Sequence, residues 1–160
     1  MPSFRTNRRL PFTPRQMFDL VADVERYPQF LPLCEALSVQ SRAQQANGAQ
    51  VLVADMTAGY QAIRETFRSR VMLDPEALTV DVVGVPNSPG PFQSIENRWR
   101  FEPTPEGCEV AFSIAYEFKS TMLQMLVGAL FDRAFRRYMR AFEERAHQIY
   151  GPAAAASATS

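Results

Sequence analysis

Residues 121–150 read TMLQMLVGALFDRAFRRYMRAFEERAHQIY, and this stretch decides the fold of the chain. Its first turns, up to Phe131, are apolar on nearly every side, with only Gln124 and Gly128 as interruptions. Its later turns instead carry arginines at helical spacing. A helix that is apolar all round must be buried against protein, ligand or lipid. Because a chain of 160 residues cannot hide all of this surface in an ordinary core, we expect a long helix with an additional apolar partner.

The region before this helix, residues 36–118, has the pattern of an antiparallel sheet. Turn signals at Asn47-Gly48, Asp74-Pro75, residues 87–91 and residues 103–107 divide it into short segments. Within these segments apolar and polar residues alternate, so each predicted strand has one apolar face and one wet face. Such alternation is typical of a sheet covered on one side only. The long helix is the only element with enough apolar surface to cover it, which predicts a strongly curved sheet gripping that helix.

The N-terminal part adds a strand and a short helical region. Phe4 to Leu10 is half polar and rich in arginine, which favours an edge strand. Thr13 is a good N-cap and is followed by Pro14, so a helix is expected to begin here and to end near Glu25. Residues 27–34 have prolines four apart, too close for a continuous helix, and predict a compact link.

Composition limits the class of protein. The formal net charge is zero, so the chain lacks the global basic field of a DNA-binding protein. Cys34 and Cys108 lie far apart and suggest two reduced thiols rather than a disulfide scaffold. No apolar stretch has signal-peptide length or the roughly 18 residues of a membrane span. We therefore expect a cytoplasmic protein: one domain over residues 1–151, ended by Gly151-Pro152, and a disordered tail over residues 152–160.

Several spaced motifs resemble one family. They are Tyr27-Pro28-x-Phe30-Leu31-Pro32-x-Cys34, Gly90-Pro91-Phe92, Trp99-x-Phe101, Tyr116-x-Phe118-x-Ser120 and Ala141-Phe142-x-x-Arg145-Ala146. Together with the order of elements, these are similar to the coenzyme Q-binding branch of the START-like, polyketide cyclase superfamily. The resemblance implies an α+β helix-grip fold: a curved antiparallel sheet wrapped around a long C-terminal helix, with two short helices after the first strand.

The same resemblance implies a function. Members of this branch hold ubiquinone or a precursor in a hydrophobic pocket, associate peripherally with membrane and support respiratory electron transport as carriers rather than catalysts. We therefore expect ubiquinone as a bound ligand, no catalytic cofactor, and contact with the inner face of the respiratory membrane. Bacterial relatives are also described as ribosome-association or toxin-like proteins, and the wider superfamily contains cyclase-like enzymes. Fold alone does not decide among these three classes.

The residues favour binding without catalysis. The single histidine, His147, lies in the last turns of the long helix, where a solvated imidazole is expected. No motif pairs it with a serine or cysteine, and the acidic residues show no metal-ligand grouping with His or Cys. Glu65 is the one inward carboxylate that could serve a cyclase-like enzyme. We therefore predict no catalytic residues, no metal and no enzymatic activity.

The candidate ligand site follows from the inward faces of the strands and helix. Asn97 and the Tyr116 hydroxyl are expected to donate hydrogen bonds to the head group, whereas Glu65 does not fit unless it is protonated or paired. Residues 85–92 form a stiff loop that could meet the start of the long helix as a gate and membrane contact. The predicted ligand-binding residues are Ile63, Glu65, Phe67, Val82, Phe92, Ile95, Asn97, Trp99, Phe112, Ile114, Tyr116, Phe118, Leu123, Val127 and Leu130, and the predicted gate residues are Met122, Met125, Leu126 and Phe131.

The arginines after the apolar turns allow two interpretations. Asp132 to Arg136 and Arg140 to Glu144 are four apart, so part of the set is expected to pair along the helix surface. A solvated face is the simpler interpretation, and contact with phospholipid or ribosomal RNA is the alternative. RNA readers usually add exposed aromatic residues to a basic track, whereas most aromatics here fall on inward faces. This favours lipid over RNA, and the ribosome as a partner ranks second.

Overall fold

A computed structural model describes residues 2–60 and 63–159, with side chains described for all of these except Tyr60, Ile63, Val127 and residues 152–159. Seven strands and two α-helices follow in the order that the sequence predicts, with a short 3-10 helix after the first α-helix. Their bounds are β1 Ser3–Leu10, α1 Pro14–Ala22, the 3-10 helix Val24–Gln29, β2 Cys34–Gln44, β3 Gln50–Tyr60, β4 Ile63–Asp74, β5 Thr79–Gly84, β6 Phe92–Thr104, β7 Gly107–Phe118 and α2 Thr121–Thr159.

All seven strands form one antiparallel sheet. Its order is β1-β7-β6-β5-β4-β3-β2, so every strand from β2 to β7 pairs with its neighbour in sequence and β1 closes the far side on β7. β1 is therefore an edge strand, as predicted. The register places Trp99 opposite Phe112 and Ile95 opposite Tyr116, which puts the inward residues of β6 and β7 on one face. The predicted helix-grip fold is confirmed.

The start of α1 has the predicted cap. Thr13 Oγ1 accepts a hydrogen bond from the Gln16 backbone N–H at 3.1 Å, and Gln16 Oε1 accepts one from the Thr13 N–H at 2.9 Å. This reciprocal pair satisfies two N–H groups that a helix end otherwise leaves free. The 3-10 helix that follows is anchored by Tyr27, whose hydroxyl donates to the carbonyl of Val21. These contacts fix the entry of the chain into β2.

Helix α2 lies across the inward face of the sheet. Its second half supplies the buried side chains Ala134, Phe135, Met139, Phe142 and Ala146. Phe142 packs edge-on against Trp99 at 4.9 Å between ring centroids, which joins the helix to the middle of β6. The first half, in contrast, exposes much of its apolar surface. The sequence predicts this, because the helix has more apolar surface than the sheet can cover.

The predicted end of this helix coincides with a break. Gly151 has φ 57° and ψ −164°, a left-handed backbone that glycine adopts at little cost. Helical geometry resumes beyond it and continues to Thr159. The domain boundary at residue 151 and the disorder of residues 152–160 stay predictions.

Candidate functional site: a cavity between the sheet and the long helix

A cavity of about 180 Å³ lies between the inward face of the sheet and α2. It begins near the turn after the 3-10 helix and extends toward the β5–β6 loop. Nearly all of its walls are aliphatic or aromatic, which suits an apolar ligand. The lining residues are Val24, Tyr27, Leu31, Leu33, Leu37, Ala54, Met56, Ala58, Gly59, Glu65, Phe67, Ser69, Val71, Val82, Pro91, Phe92, Ile95, Asn97, Trp99, Phe112, Ile114, Phe118, Leu123, Leu130, Phe131, Ala134, Phe135, Tyr138 and Phe142.

Most of the predicted ligand-binding residues line this cavity. The structure brings together residues from β4, β5, β6, β7 and α2, as the alternation of apolar residues predicts. Two predicted residues, Ile63 and Val127, lie outside the side chains that are described. The predicted residues that line it are Glu65, Phe67, Val82, Phe92, Ile95, Asn97, Trp99, Phe112, Ile114, Phe118, Leu123 and Leu130.

Tyr116 is the exception, because the structure does not place it among the lining residues, and its role as a head-group donor stays a prediction. The side chain is buried but does not line the cavity, because its ring packs under α2 against Phe131 at 5.3 Å and Phe135 at 5.8 Å. Burial raises the pKa of the Tyr116 hydroxyl, and the charge of Asp132 on the helix adds to this effect. The hydroxyl therefore lies close to the first half of α2.

Asn97 lies at the cavity wall, but much of its side chain is already engaged. Its Nδ2 donates to the carbonyl of Ser113 at 2.9 Å, and its Oδ1 accepts from the Trp99 indole Nε1 at 2.9 Å. One amide N–H and one oxygen lone pair are left uncommitted. Asn97 therefore stabilises the position of the Trp99 indole in the cavity wall.

The β5–β6 loop, residues 85–91, closes over one end of the cavity. Gly90 has φ +124°, and a Cβ atom there would lie 2.7 Å from the carbonyl oxygen of Thr66, so only glycine lets the loop press onto β4. Lys119, between β7 and α2, donates its backbone N–H to the Pro91 carbonyl at 2.8 Å and its Nζ to the Ser88 carbonyl at 3.0 Å. The loop therefore contacts the segment that leads into α2.

The predicted gate residues divide into two groups. Met122, Met125 and Leu126 are 71%, 81% and 71% exposed, which leaves an apolar patch on the surface at the start of α2. Phe131 is instead half-buried and forms part of the cavity wall, where it packs against Phe92 at 6.1 Å and Phe118 at 5.2 Å. Of the four predicted gate residues, Phe131 therefore lines the cavity and the other three lie on the surface, and the gate itself stays a prediction.

Sequence reasoning missed two parts of the wall. One is on β3, where the small or apolar residues Ala54, Met56 and Ala58 alternate with polar ones. This alternation could have been used to predict them, because it has the same period of two as the inward faces of β4 to β7. The other comprises the turn around Leu31 and Leu33 and the α2 residues Phe135, Tyr138 and Phe142. For the turn no periodic signal exists, because irregular backbone sets the direction of its side chains.

Few titratable groups among the described residues lie at the cavity. Glu65 is the single carboxylate among the described lining residues. Burial raises the pKa of the Cys34 and Cys108 thiols to about 11, so both stay protonated near neutral pH. His147 is exposed and packs edge-on against Phe12 at 4.9 Å. Within the described part of the chain, no three His, Cys, Asp or Glu residues are grouped to hold a metal.

The arginines divide into paired and unpaired sets. On the sheet, Arg64 pairs with Glu35, and Arg68 pairs with Asp55 at 2.7 Å. On α2, neither predicted pair forms in the region that the structure describes: the exposed residues Arg133, Arg136, Arg137 and Arg140 make no ion pair there. Their carboxylate neighbours on the helix stay solvated instead, because surface pairs gain little.

Comparison with proteins of known sequence finds relatives that carry different descriptions. The ribosome association toxin RatA of Rickettsia prowazekii is 32% identical over 152 residues, which cover 93% of this chain and 99% of that protein. The mitochondrial coenzyme Q-binding protein COQ10 homolog B of Xenopus laevis is 31% identical over 152 residues, covering 92% of this chain and 59% of that protein. The chain is thus similar to proteins described as ribosome-associated and to a protein described as coenzyme Q-binding.

Solved structures agree on the fold. The 18 kDa protein CC1736 from Caulobacter crescentus superimposes with a TM-score of 0.78 at 34% identity, covering 94% of this chain and 99% of that one. The Zhui aromatase/cyclase from Streptomyces sp. R1128 gives the same TM-score at 14% identity, covering 95% and 97%. The model of the family described as polyketide cyclase/dehydrase and lipid transport matches residues 10–143. Because that match takes in well over half of the sequence, the chain belongs to this family.

Proposed function

We propose that the domain binds an apolar ligand with a compact polar ring, and that ubiquinone or a precursor is the ligand. The observation that carries this proposal is the cavity between the sheet and α2, which has apolar walls and few polar groups. A quinone ring offers carbonyl and methoxy acceptors to those groups, while its isoprenoid tail needs only apolar contacts. The similarity to a coenzyme Q-binding protein supports the same ligand.

The size of the cavity bears on how such a ligand fits. An engineered apolar cavity of about 150 Å³ is known to hold benzene, and this one measures about 180 Å³. It therefore accommodates roughly one substituted ring and not a polyisoprenoid tail as well. A long tail would leave through the end closed by residues 85–91, next to the exposed apolar patch of Met122, Met125 and Leu126.

The proposed role is carriage rather than catalysis. Glu65 is the only described carboxylate at the cavity and is itself exposed, and His147 is remote in sequence from the lining residues of the sheet. General acid–base chemistry needs groups that are positioned near the reacting atoms. Carriage also accounts for the exposed patch, through which the protein would touch the membrane peripherally to load and release ligand.

Organic extraction tests this proposal. Protein purified gently from a quinone-producing host should release close to one ubiquinone or precursor molecule per chain, identified by mass spectrometry. Ala134→Phe should abolish this, because Ala134 is buried in the cavity wall and a phenyl ring would fill the space. Ala129→Phe makes the same change on the exposed side of α2 and should keep the ligand. Wild-type protein without any isoprenoid lipid would contradict the proposal.

A second candidate function is association with the ribosome. The names of the RatA relatives support it, and they give this alternative more weight than the sequence alone did. The physical feature that fits is the row of exposed arginines Arg133, Arg136, Arg137 and Arg140 on α2, because phosphate groups attract such unpaired guanidinium groups. RNA binding of this kind weakens steeply as salt rises.

Co-sedimentation with ribosomal subunits at moderate salt tests this second candidate. A triple variant of Arg133, Arg136 and Arg140 to Gln should lose binding that wild-type protein has. The matched control changes three arginines of the sheet that are in ion pairs, Arg64, Arg68 and Arg98. It removes the same charge and should bind nearly as wild type. Equal loss in both variants, or no sedimentation of wild-type protein, would exclude this use of α2.

A further inference from the structure

Ser69 carries a hydroxyl group that the fold leaves without a partner. Its side chain is only 5% exposed and lines the cavity, and Ser69 Oγ makes no hydrogen bond within the described part of the protein. A buried hydroxyl without a hydrogen bond is costly, so one that persists usually meets a water molecule or a ligand. The cavity is the only described space next to Ser69 that could supply either.

The neighbours of Ser69 explain why its hydroxyl is unpaired. Ser69 is opposite Ala54 on β3 and opposite Gly84 on β5, two of the smallest residues available. The space above Gly84 is taken by Ile95, whose Cγ2 would lie 2.9 Å from a Cβ atom at residue 84. Ser69 Oγ is therefore flanked by small and aliphatic residues and has almost no accessible surface, so a rotation of the side chain about χ1 would bring the hydroxyl to the cavity that Ser69 lines.

The exposure of the side chains along β4 shows which end of the cavity is deep and which is near the surface. Val71 and Ser69 are buried, Phe67 is half-buried, and Glu65 is exposed, although all four line the cavity from one strand face. The loop of residues 85–91 presses on β4 at Phe67, through Gly90. Ser69 thus lies toward the deep end of the cavity, and Phe67 and Phe92, 5.0 Å apart, lie between it and the entrance at residues 85–91.

We infer that Ser69 is the anchor for the polar ring of the ligand, which enters ring first and leaves its tail at the entrance. The inference rests on the proposed function and adds an orientation and a specificity-determining residue to it. The Ser69 hydroxyl would donate to a carbonyl or ether oxygen of the ring, and the aromatic pair Phe67 and Phe92 would flank the chain that follows. A ligand of the same shape without an acceptor would lose this contact.

Two probes and two variants test the inference. Decylubiquinone has ring acceptors, and decylbenzene has a ring and the same chain without them. Calorimetric titration should give a three- to tenfold weaker Kd of decylubiquinone for Ser69→Ala, as expected for one neutral hydrogen bond. Decylbenzene should bind wild type and Ser69→Ala equally. Ser41→Ala, on the exposed side of β2, should not change either Kd.

Three other results of these titrations would overturn either the inference or the proposed function. Equal binding of decylubiquinone to wild type and Ser69→Ala would overturn the inference and leave the proposed function intact. Equal losses for both probes would also overturn it, because the hydroxyl would then act through cavity shape. Failure of wild type to bind decylubiquinone at all would overturn the proposed function itself. Thermal unfolding serves as the folding control, and Ser69→Ala should be at least as stable as wild type because no hydrogen bond of the described protein is lost.

Discussion

Replacing Asn97 with leucine should destabilise the domain, because Asn97 satisfies two other groups. The substitution keeps a side chain of similar size but removes the acceptor of the Trp99 indole N–H and the donor to the Ser113 carbonyl. Trp99 is only 3% exposed, so its N–H would be left unpaired away from water. Such a group costs about 1–3 kcal/mol, and the lost bond to the carbonyl adds about 1 kcal/mol. We expect the free energy of unfolding to fall by about 2–4 kcal/mol.

A double-mutant cycle with Trp99→Phe isolates the reason for this loss. Phenylalanine has no N–H to satisfy, so Asn97→Leu should cost at least 1 kcal/mol less in the Trp99→Phe background than in wild type. Urea unfolding followed by far-ultraviolet circular dichroism measures both, since it does not depend on the tryptophan. The reasoning is refuted if Asn97→Leu costs the same in the two backgrounds, or if it leaves the stability of the wild-type chain unchanged.

Three further predictions concern the loop, a buried thiol and the exposed patch. Gly90→Ala should lower the free energy of unfolding by about 1–3 kcal/mol in urea, because its Cβ would meet β4 at an unfavourable φ, and an unchanged stability would argue against that contact. Burial raises the pKa of Cys34 from 9.0 to about 11, so the folded state holds this proton more tightly than the unfolded state. The stability advantage of wild type over Cys34→Ala should therefore be constant below pH 9 and shrink as pH rises toward 11; a constant difference at pH 8 and 11 would be inconsistent with the shift. The double variant Met122→Ser, Met125→Ser should weaken co-sedimentation with vesicles of anionic phospholipid at least tenfold, whereas Ile149→Ser at the other end of α2 should not; equal binding by both would remove the patch as the membrane contact.

Much of the fold was accessible from the sequence because two periodicities dominate it. Alternation with a period of two marked the inward faces of β4 to β7, and the segment of residues 121–150 could only be a helix with a large apolar surface. The edge position of β1 followed from its arginines. Registers and the curvature of the sheet could not be derived, because they depend on how the strands and α2 pack together.

Less of the candidate site can be predicted from the sequence, for reasons that differ between residues. Alternation tells which face a side chain occupies but not what packs on it. It predicts Tyr116 in the cavity, whereas the Tyr116 ring packs against Phe131 and Phe135. Alternation places Ser69 on the same face of β4 as Glu65 and Phe67, yet its importance depends on a hydrogen bond that is missing among the described residues, and no sequence pattern reveals this. Leu33 has φ 69°, a conformation set by the tertiary fold of an irregular turn.

Membership of the polyketide cyclase/dehydrase and lipid transport family does not by itself choose a ligand or partner. The relatives include proteins described as ribosome-associated and as coenzyme Q-binding, and the two proposed functions would use two different surfaces of this chain. The cavity faces inward between the sheet and α2, whereas the unpaired arginines face outward from the same helix. One protein could therefore be tested for each function independently, by variants that leave the other surface untouched.

The most direct test of the proposed cavity uses the single tryptophan of the chain, Trp99, which lines it. A quinone ring quenches tryptophan emission at close range, so titration with decylubiquinone should give saturable quenching at about one molecule per chain. Ala129→Phe should behave in the same way, and Ala134→Phe should show little quenching at the same concentrations. Absence of saturable quenching in wild type, or identical quenching in Ala134→Phe, would contradict the proposal that a quinone binds between the sheet and α2.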